Sequence, residues 1–131
     1  MTLPERYQDA VRFSFGDSPE LADELLALVL AGRKTATCGA LRDFGADEPV
    51  PEVGRRDVVL DGRGEPACVI ETTEVTRCRF DDVGEDFALA EGEGDFDDWR
   101  NGHIAYFTRN GGWSGDLMLV CERFRLVEVF E

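Results

Sequence analysis

The sequence predicts an α+β fold, a small and mostly antiparallel β-barrel with two to three helices covering its openings. Three observations point there. About five segments carry the β-branched and aromatic residues typical of strands. Two or three others place apolar residues at helical spacing. The two kinds do not alternate as strand–helix–strand units, which would build a parallel sheet. The 131 residues make one ordinary domain, spanning 1–131, and a hydrophobic content of 43% with 9 Phe supplies a core that needs no metal or disulfide staple.

Leu3 to Val11 reads as a short opening helix with Pro4 in its first turn, and Val11 to Phe15 as a short strand or extended segment. Asp17-Ser18-Pro19-Glu20 starts a helix. Asp17 or Ser18 caps it, Pro19 suits the first turn, and Glu20 meets the positive end of the helix dipole. Leu21, Leu25, Leu28 and Val29 share one face and Gly32 follows as a stop, which gives a helix over Pro19–Ala31. Thr35 to about Ala40 is a strand; the segment 42–53, with Gly45, Pro49 and Pro51, is a loop. Asp57–Leu60 is a strand, Asp61-Gly62-Arg63-Gly64 a hairpin turn, and Pro66–Phe80 one long strand. A short helix starts at Val83 or Glu85 and runs to Ala90. Phe96, Trp99, His103 and Tyr106 or Phe107 then mark a helix over Asp95–Thr108. The glycine-rich loop 109–115 precedes a closing strand, or two joined by a bend, from Leu117 to Phe130.

A formal net charge of -14 disfavours nonspecific binding of a long polyanion, because such affinity comes from Lys and Arg neutralising phosphates. A local basic cleft or a small ligand fits better. No apolar run approaches the roughly 20 residues of a membrane span, and the N-terminal hexapeptide lacks the basic-then-apolar form of a signal segment, so the expectation is a cytoplasmic protein with no membrane partner. Cys38, Cys68, Cys78 and Cys121 are widely spaced and His103 is the only histidine. That is poor material for zinc, so no metal or other cofactor is expected and the thiols read as free, with a disulfide between neighbouring strands left open.

Lys34 is the only lysine among 14 basic residues. Arginine stays charged, whereas a lysine amine can lose its proton when buried. Lys34 stands just after a helix-ending glycine and beside Thr35 and Thr37, which places candidate chemistry at 32–37. Lys34 and Thr37 can share a pocket only if the lysine occupies the helix-to-strand corner. Glu71 falls on one face with Val69, Thr73 and Val75, and is either an inward carboxylate or a rim charge. Glu91 and Glu93 alternate with Gly92 and Gly94, an arrangement that either approaches a ligand closely or forms a solvated acidic turn. His103 beside Trp99 reads as a hydrogen-bonded core residue, and Trp113 could stack on a base or cover the barrel end.

Five segments line up in order: G-R-K-T-A-T-C at 32–38, P-A-C-V-I-E-T-T-E-V at 66–75, A-E-G-E-G-D at 90–95, W-R-x-x-H at 99–103 and L-V-C-E-R-F-R-L-V at 119–127. From about Phe13 to Val127 the chain resembles the ASCH domains of the PUA-like superfamily. The resemblance implies a PUA-like β-barrel with a cleft for a nucleoside-like ligand or an RNA group. Some short members are amidohydrolases that deacetylate cytidine acetylated on its exocyclic amine; others are described as ribonucleases. Their working Thr, Lys and Glu match Thr37, Lys34 and Glu93 here, with Glu91 two residues from the last. Cys38 and Gly39 stand where those members continue with an apolar residue and arginine.

Two roles for Lys34 follow. With a lowered pKa it takes the Thr37 proton, while Glu93 protonates the leaving amine and Arg33 or a backbone N–H steadies the oxyanion. Paired tightly to Glu71 or Glu93, it is instead an electrostatic anchor. Arg33, Thr35, Glu71, Glu91, Trp113 and Ser114 are the expected ligand contacts. The alternatives are a non-catalytic RNA-binding module, with Arg33, Lys34, Arg42 and Arg109 lining the cleft, or a regulatory module sensing a nucleotide-like ligand.

Overall fold

A computed structural model describes residues 3–130; Met1 and Thr2, the first residues of the hexapeptide read for a signal segment, and Glu131 lie outside the described residues. Five strands, β1 (Val11–Phe13), β2 (Ala36–Ala40), β3 (Arg56–Leu60), β4 (Pro66–Arg79) and β5 (Met118–Val129), form one sheet in the order β1-β3-β4-β5-β2. Every pairing is antiparallel except β1 with β3. The sheet curls into a half-barrel with three helices, α1 (Pro19–Leu30), α2 (Glu85–Ala90) and α3 (Phe96–Arg109). The predicted α+β, mostly antiparallel class is the one observed. The expected opening helix shrinks to a single 3-10 turn at Glu5–Tyr7, whose Tyr7 ring is buried against Val58 and Val69.

Helix α1 begins as its sequence requires. The Ser18 hydroxyl accepts from the Leu21 N–H, and Pro19 opens the first turn. Its buried Leu25, Leu26 and Val29 pack with Phe15, Ile70 and Phe124 on one face of the sheet. Helix α3 opens with a capping box, Asp95 accepting from the Asp98 N–H and Asp98 from the Asp95 N–H. Between α2, α3 and strands β2 and β5 lies a second core of Ala36, Ala40, Phe80, Phe87, Trp99, Phe107 and Leu119. Ala36 and Ala40 are fully buried; side chains this small let the helices approach β2.

Register decides which polar groups face inward. On β4, Ile70 and Thr72 are buried, and a bulge between Thr72 and Glu74 resets the alternation beyond them. Glu71 points to the other face, where Arg56 of β3 and Arg125 of β5 are its register partners. It accepts from them at 3.0 and 3.3 Å. Of its two sequence readings, the rim charge is the one the fold adopts.

Phe80 anchors the second core, stacked on Trp99 at 5.3 Å and met edge-on by Phe107 and Trp113. Phe80→Ala should lower unfolding free energy by about 3–5 kcal/mol, read from urea melts, while the exposed Arg77→Ala should shift it by under about 0.5 kcal/mol.

Candidate functional site

The site is built around the corner where α1 turns into β2. Gly32 takes φ +79, and the N–H groups of Arg33 and Lys34 both donate to the Leu28 carbonyl, closing the helix end. The Thr35 N–H donates to Ala90 O, and the Phe124 N–H donates to Thr35 O. The corner is thus tied to α2 on one side and β5 on the other, and the Lys34 side chain is turned inward to 1% exposure.

An ammonium so buried must be paired, since a lone charge in an apolar interior is prohibitively costly. Lys34 Nζ donates to Glu91 Oε1 and Glu93 Oε2, both at 3.0 Å, and lies 5.5 Å from the centre of the Phe15 ring. Gly92 makes the double contact possible. Its φ is +76, and a Cβ there would stand 2.5 Å from the Arg33 carbonyl oxygen. Only a glycine lets the turn lie flat on the 33–34 backbone with both neighbouring carboxylates on the same amine. The acidic turn is neither solvated nor held open for a ligand at these two carboxylates: both are turned onto the protein's own lysine.

Glu91 is fully engaged. Its Oε2 accepts from Trp99 Nε1 at 2.8 Å and lies 3.5 Å from His103 Nε2. The His103 ring stacks on Trp99 at 4.5 Å, and its Nδ1 donates to Trp99 O. Burial pushes the Glu91 carboxyl upward, but Lys34, His103 and Trp99 outweigh it and hold its pKa at about 2. Glu93, a quarter exposed at its side chain, goes the other way. Burial and the Glu91 charge raise its pKa, and Lys34 offsets them only in part. Burial draws Lys34 down, yet the two carboxylates dominate and its pKa is raised. His103 is likewise lowered by burial and raised, on balance, by Glu91. The resting site is an ammonium locked between carboxylates, which corresponds to the anchor role for Lys34 rather than a lysine with a lowered pKa.

Lys34, Thr37, Glu91, Glu93 and His103 all line one cavity of about 310 Å³, walled by Phe15, Leu25 and Tyr106. Thr37 Oγ1 makes no hydrogen bond among the described residues, so its hydroxyl is free toward a ligand. A second cavity of about 500 Å³ opens between the sheet edges β1 and β2. Both are lined by Phe15, Gly16, Thr37, Cys38 and Tyr106, so they form one cleft with two lobes.

A family model for the ASCH domain matches residues 11–128. The chain belongs to the ASCH domain family. Among solved structures it is similar to protein EF3133 from Enterococcus faecalis V583, at 34% identity and a TM-score of 0.84 over 98% of this chain and 79% of that one. An ASCH domain from Lactobacillus crispatus JV V101 gives 32% and 0.84 over 95% and 83%. An ASCH protein from Zymomonas mobilis, at 10% identity and a TM-score of 0.54 over 92% and 71%, shares the fold alone. No curated protein sequence matches.

Among the residues expected in the site of this ASCH domain, Lys34, Thr37, Glu91 and Glu93 come together. Arg33 and Thr35 are exposed at the corner and contribute backbone, with the Thr35 hydroxyl donating to Ala90 O. Glu71 stays on its arginine ladder and does not line the cleft. Trp113 packs edge-on against Phe80 with Arg100 over its ring, so it covers the core rather than the cleft; Ser114 donates to Asp116. His103 is the hydrogen-bonded residue expected and lines the cleft as well. Glu122 was missed, although the sequence carries a signal: it alternates with Val120 and Phe124 on β5.

Cys38, Glu91 and His103 have donor atoms within 4.8 Å of one another, a spacing compatible with a metal ion. The charge of Glu91 is already answered by Lys34, and burial lifts the Cys38 thiol far above its usual pKa. Cys38 and His103 thus flank the carboxylate that Lys34 pairs.

Removing the Glu91 charge leaves the buried amine with one carboxylate, Glu93, beside the Glu91 backbone carbonyl. Glu91→Gln should cost about 3–5 kcal/mol at pH 7, and Glu93→Gln distinctly less, as measured by urea unfolding. Glu91 has a depressed folded-state pKa, so its stabilisation is present above the ordinary 4.5 and is lost as pH falls toward about 2. The gap between wild type and Glu91→Gln should close across that window. Gly92→Ala should also destabilise, by more than about 1 kcal/mol, through its positive φ and the clash with Arg33.

Proposed function

We propose that this ASCH domain hydrolyses an amide on a small nucleoside-like ligand, with deacetylation of acetylated cytidine as the concrete activity. The observation that supports this best is a buried ammonium and an unpartnered hydroxyl opening on one cavity, with a carboxyl a quarter exposed beside them. Family resemblance supplies the substrate class.

In this reading the Thr37 oxygen attacks the acyl carbon and Glu93, as carboxylate, takes the hydroxyl proton. A threonine hydroxyl needs such a base, and a pKa raised above the ordinary carboxylate value, by burial and the Glu91 charge, makes Glu93 a stronger one. The carbonyl oxygen gains negative charge facing Lys34, whose ammonium is already oriented and desolvated. Collapse breaks the carbon–nitrogen bond, and Glu93 returns its proton to the departing amine. Water then adds to the Thr37 ester as Glu93 again takes a proton; the ester carbon–oxygen bond breaks, Glu93 passes that proton to the Thr37 oxygen, and acetic acid leaves and ionises to acetate. Glu91, His103 and Trp99 hold Lys34 in place.

An RNA-binding module draws less support. Arg109 is held by Asp17 at 2.6 Å, and Arg42 donates to the Asn110 and Gly112 carbonyls. Lys34 is buried and matched by two carboxylates. A cleft that binds the nucleoside without turnover would show as a ligand-dependent rise in melting temperature alone.

The test is to incubate the protein with acetylated cytidine and follow the release of cytidine. Lys34→Ala and Thr37→Ala should each lower kcat/KM about 100-fold or more. The rate should rise with pH through a limb displaced upward from the ordinary carboxyl value of 4.5, because Glu93 works deprotonated and its pKa is raised; Glu93→Gln should remove that limb. No turnover by wild type, or turnover unaffected by Lys34→Ala, overturns the proposal.

A further inference from the structure

The second lobe has a polar group that the amide chemistry leaves unused. Glu122 is a register partner of Thr37 across β2 and β5, so the two side chains emerge side by side on one face. It is only 8% exposed and lines the larger lobe. The Thr72 hydroxyl donates to Glu122 Oε2, while Oε1 has no hydrogen-bond partner among the described residues. Among the described residues the one buried side-chain atom left without a partner is Trp113 Nε1, so Glu122 Oε1 is reached from the lobe and stands open to a ligand's donor. Resting on the deacylation reading for the neighbouring lobe, we propose that Glu122 anchors the other half of the ligand, an uncharged and hydroxyl-bearing group such as the sugar of a nucleoside, and turns away its phosphate ester.

The charges of the lobe support the choice. Asp47, Glu48, Asp57 and Glu122 line it against Arg12 and Arg55. Arg55 is spent on Asp57, with two contacts of 2.7 Å, and Arg12 donates to the Gln8 carbonyl. A phosphate would need charge-assisted donors, and here it meets a carboxylate excess. Hydroxyls, in contrast, donate into the open oxygen of Glu122. Burial raises the pKa of Glu122, with the Asp57 charge adding to the effect and Thr72 and Arg55 opposing it, so hydroxyl donors restore solvation that the carboxylate lacks. The geometry is consistent with a bipartite ligand: an acyl group reaching Thr37 from the Lys34 lobe, and a polyol held one strand away.

Calorimetric binding of unacylated ligands tests this without turnover. Wild type should bind cytidine about tenfold tighter than 2′,3′-dideoxycytidine and about tenfold tighter than cytidine 5′-monophosphate. Glu122→Ala should bring cytidine and the dideoxy form within about twofold of each other. Glu122→Gln keeps an oxygen for Thr72 and removes the charge. It should fold as wild type by its melting curve and should narrow the penalty on the monophosphate about fivefold. Equal affinity of wild type for the three ligands, no measurable cytidine binding, or variants that keep the wild-type preferences would overturn the inference. Glu122-dependent preferences without any deacylation would sink the enzymatic reading alone; deacylation without those preferences would sink the anchor alone.

Discussion

The Lys34 ammonium between Glu91 and Glu93 is the contact on which the rest of the site depends. A charge at 1% exposure commits its surroundings. It requires the carboxylates at 3.0 Å, and these require a turn that lies against the lysine's own backbone, hence Gly92. Glu91 in turn requires donors for its second oxygen, which Trp99 and His103 supply from α3. One buried amine therefore links α1, β2, the turn after α2, and α3.

The half-barrel explains why this cluster has room beside it. Because β1 and β2 are the two sheet edges and do not pair, the curl leaves a gap, and that gap is the larger lobe of the cleft. Strand β2 borders both lobes: Thr37 and Cys38 line each. A chain with net charge -14 also uses some of its carboxylates inside, at Glu91, Glu122 and Asp57, where they set the chemistry of the cleft rather than the solubility of the surface.

Much of this was legible in the residues. The solitary lysine, the helix-ending Gly32 and the alternating Glu91-Gly92-Glu93 turn pointed to the site, and capping and periodicity placed α1 and α3 within a residue or two. What escaped depended on long-range pairing. Alternation alone could not say which face of β4 was inside, and Arg56 and Arg125, remote in sequence, flank Glu71 on the outer face. Trp113 on a glycine-rich loop suggested a stacking platform, but Phe80, 33 positions earlier, claims it. Glu91 and Glu93 were near equivalent on the page; burial separates them, one locked as an anion and the other left to titrate.

The single lysine allows the central claim to be tested on one signal. In a nitrogen-15 NMR titration of the Nζ resonance, the account predicts that Lys34 stays an ammonium beyond the pH of about 10.4 at which a free lysine is half deprotonated. In Glu91→Gln or Glu93→Gln the midpoint should fall. A wild-type midpoint well below 10, near neutrality, would show a lysine poised as a base and would contradict the clamp.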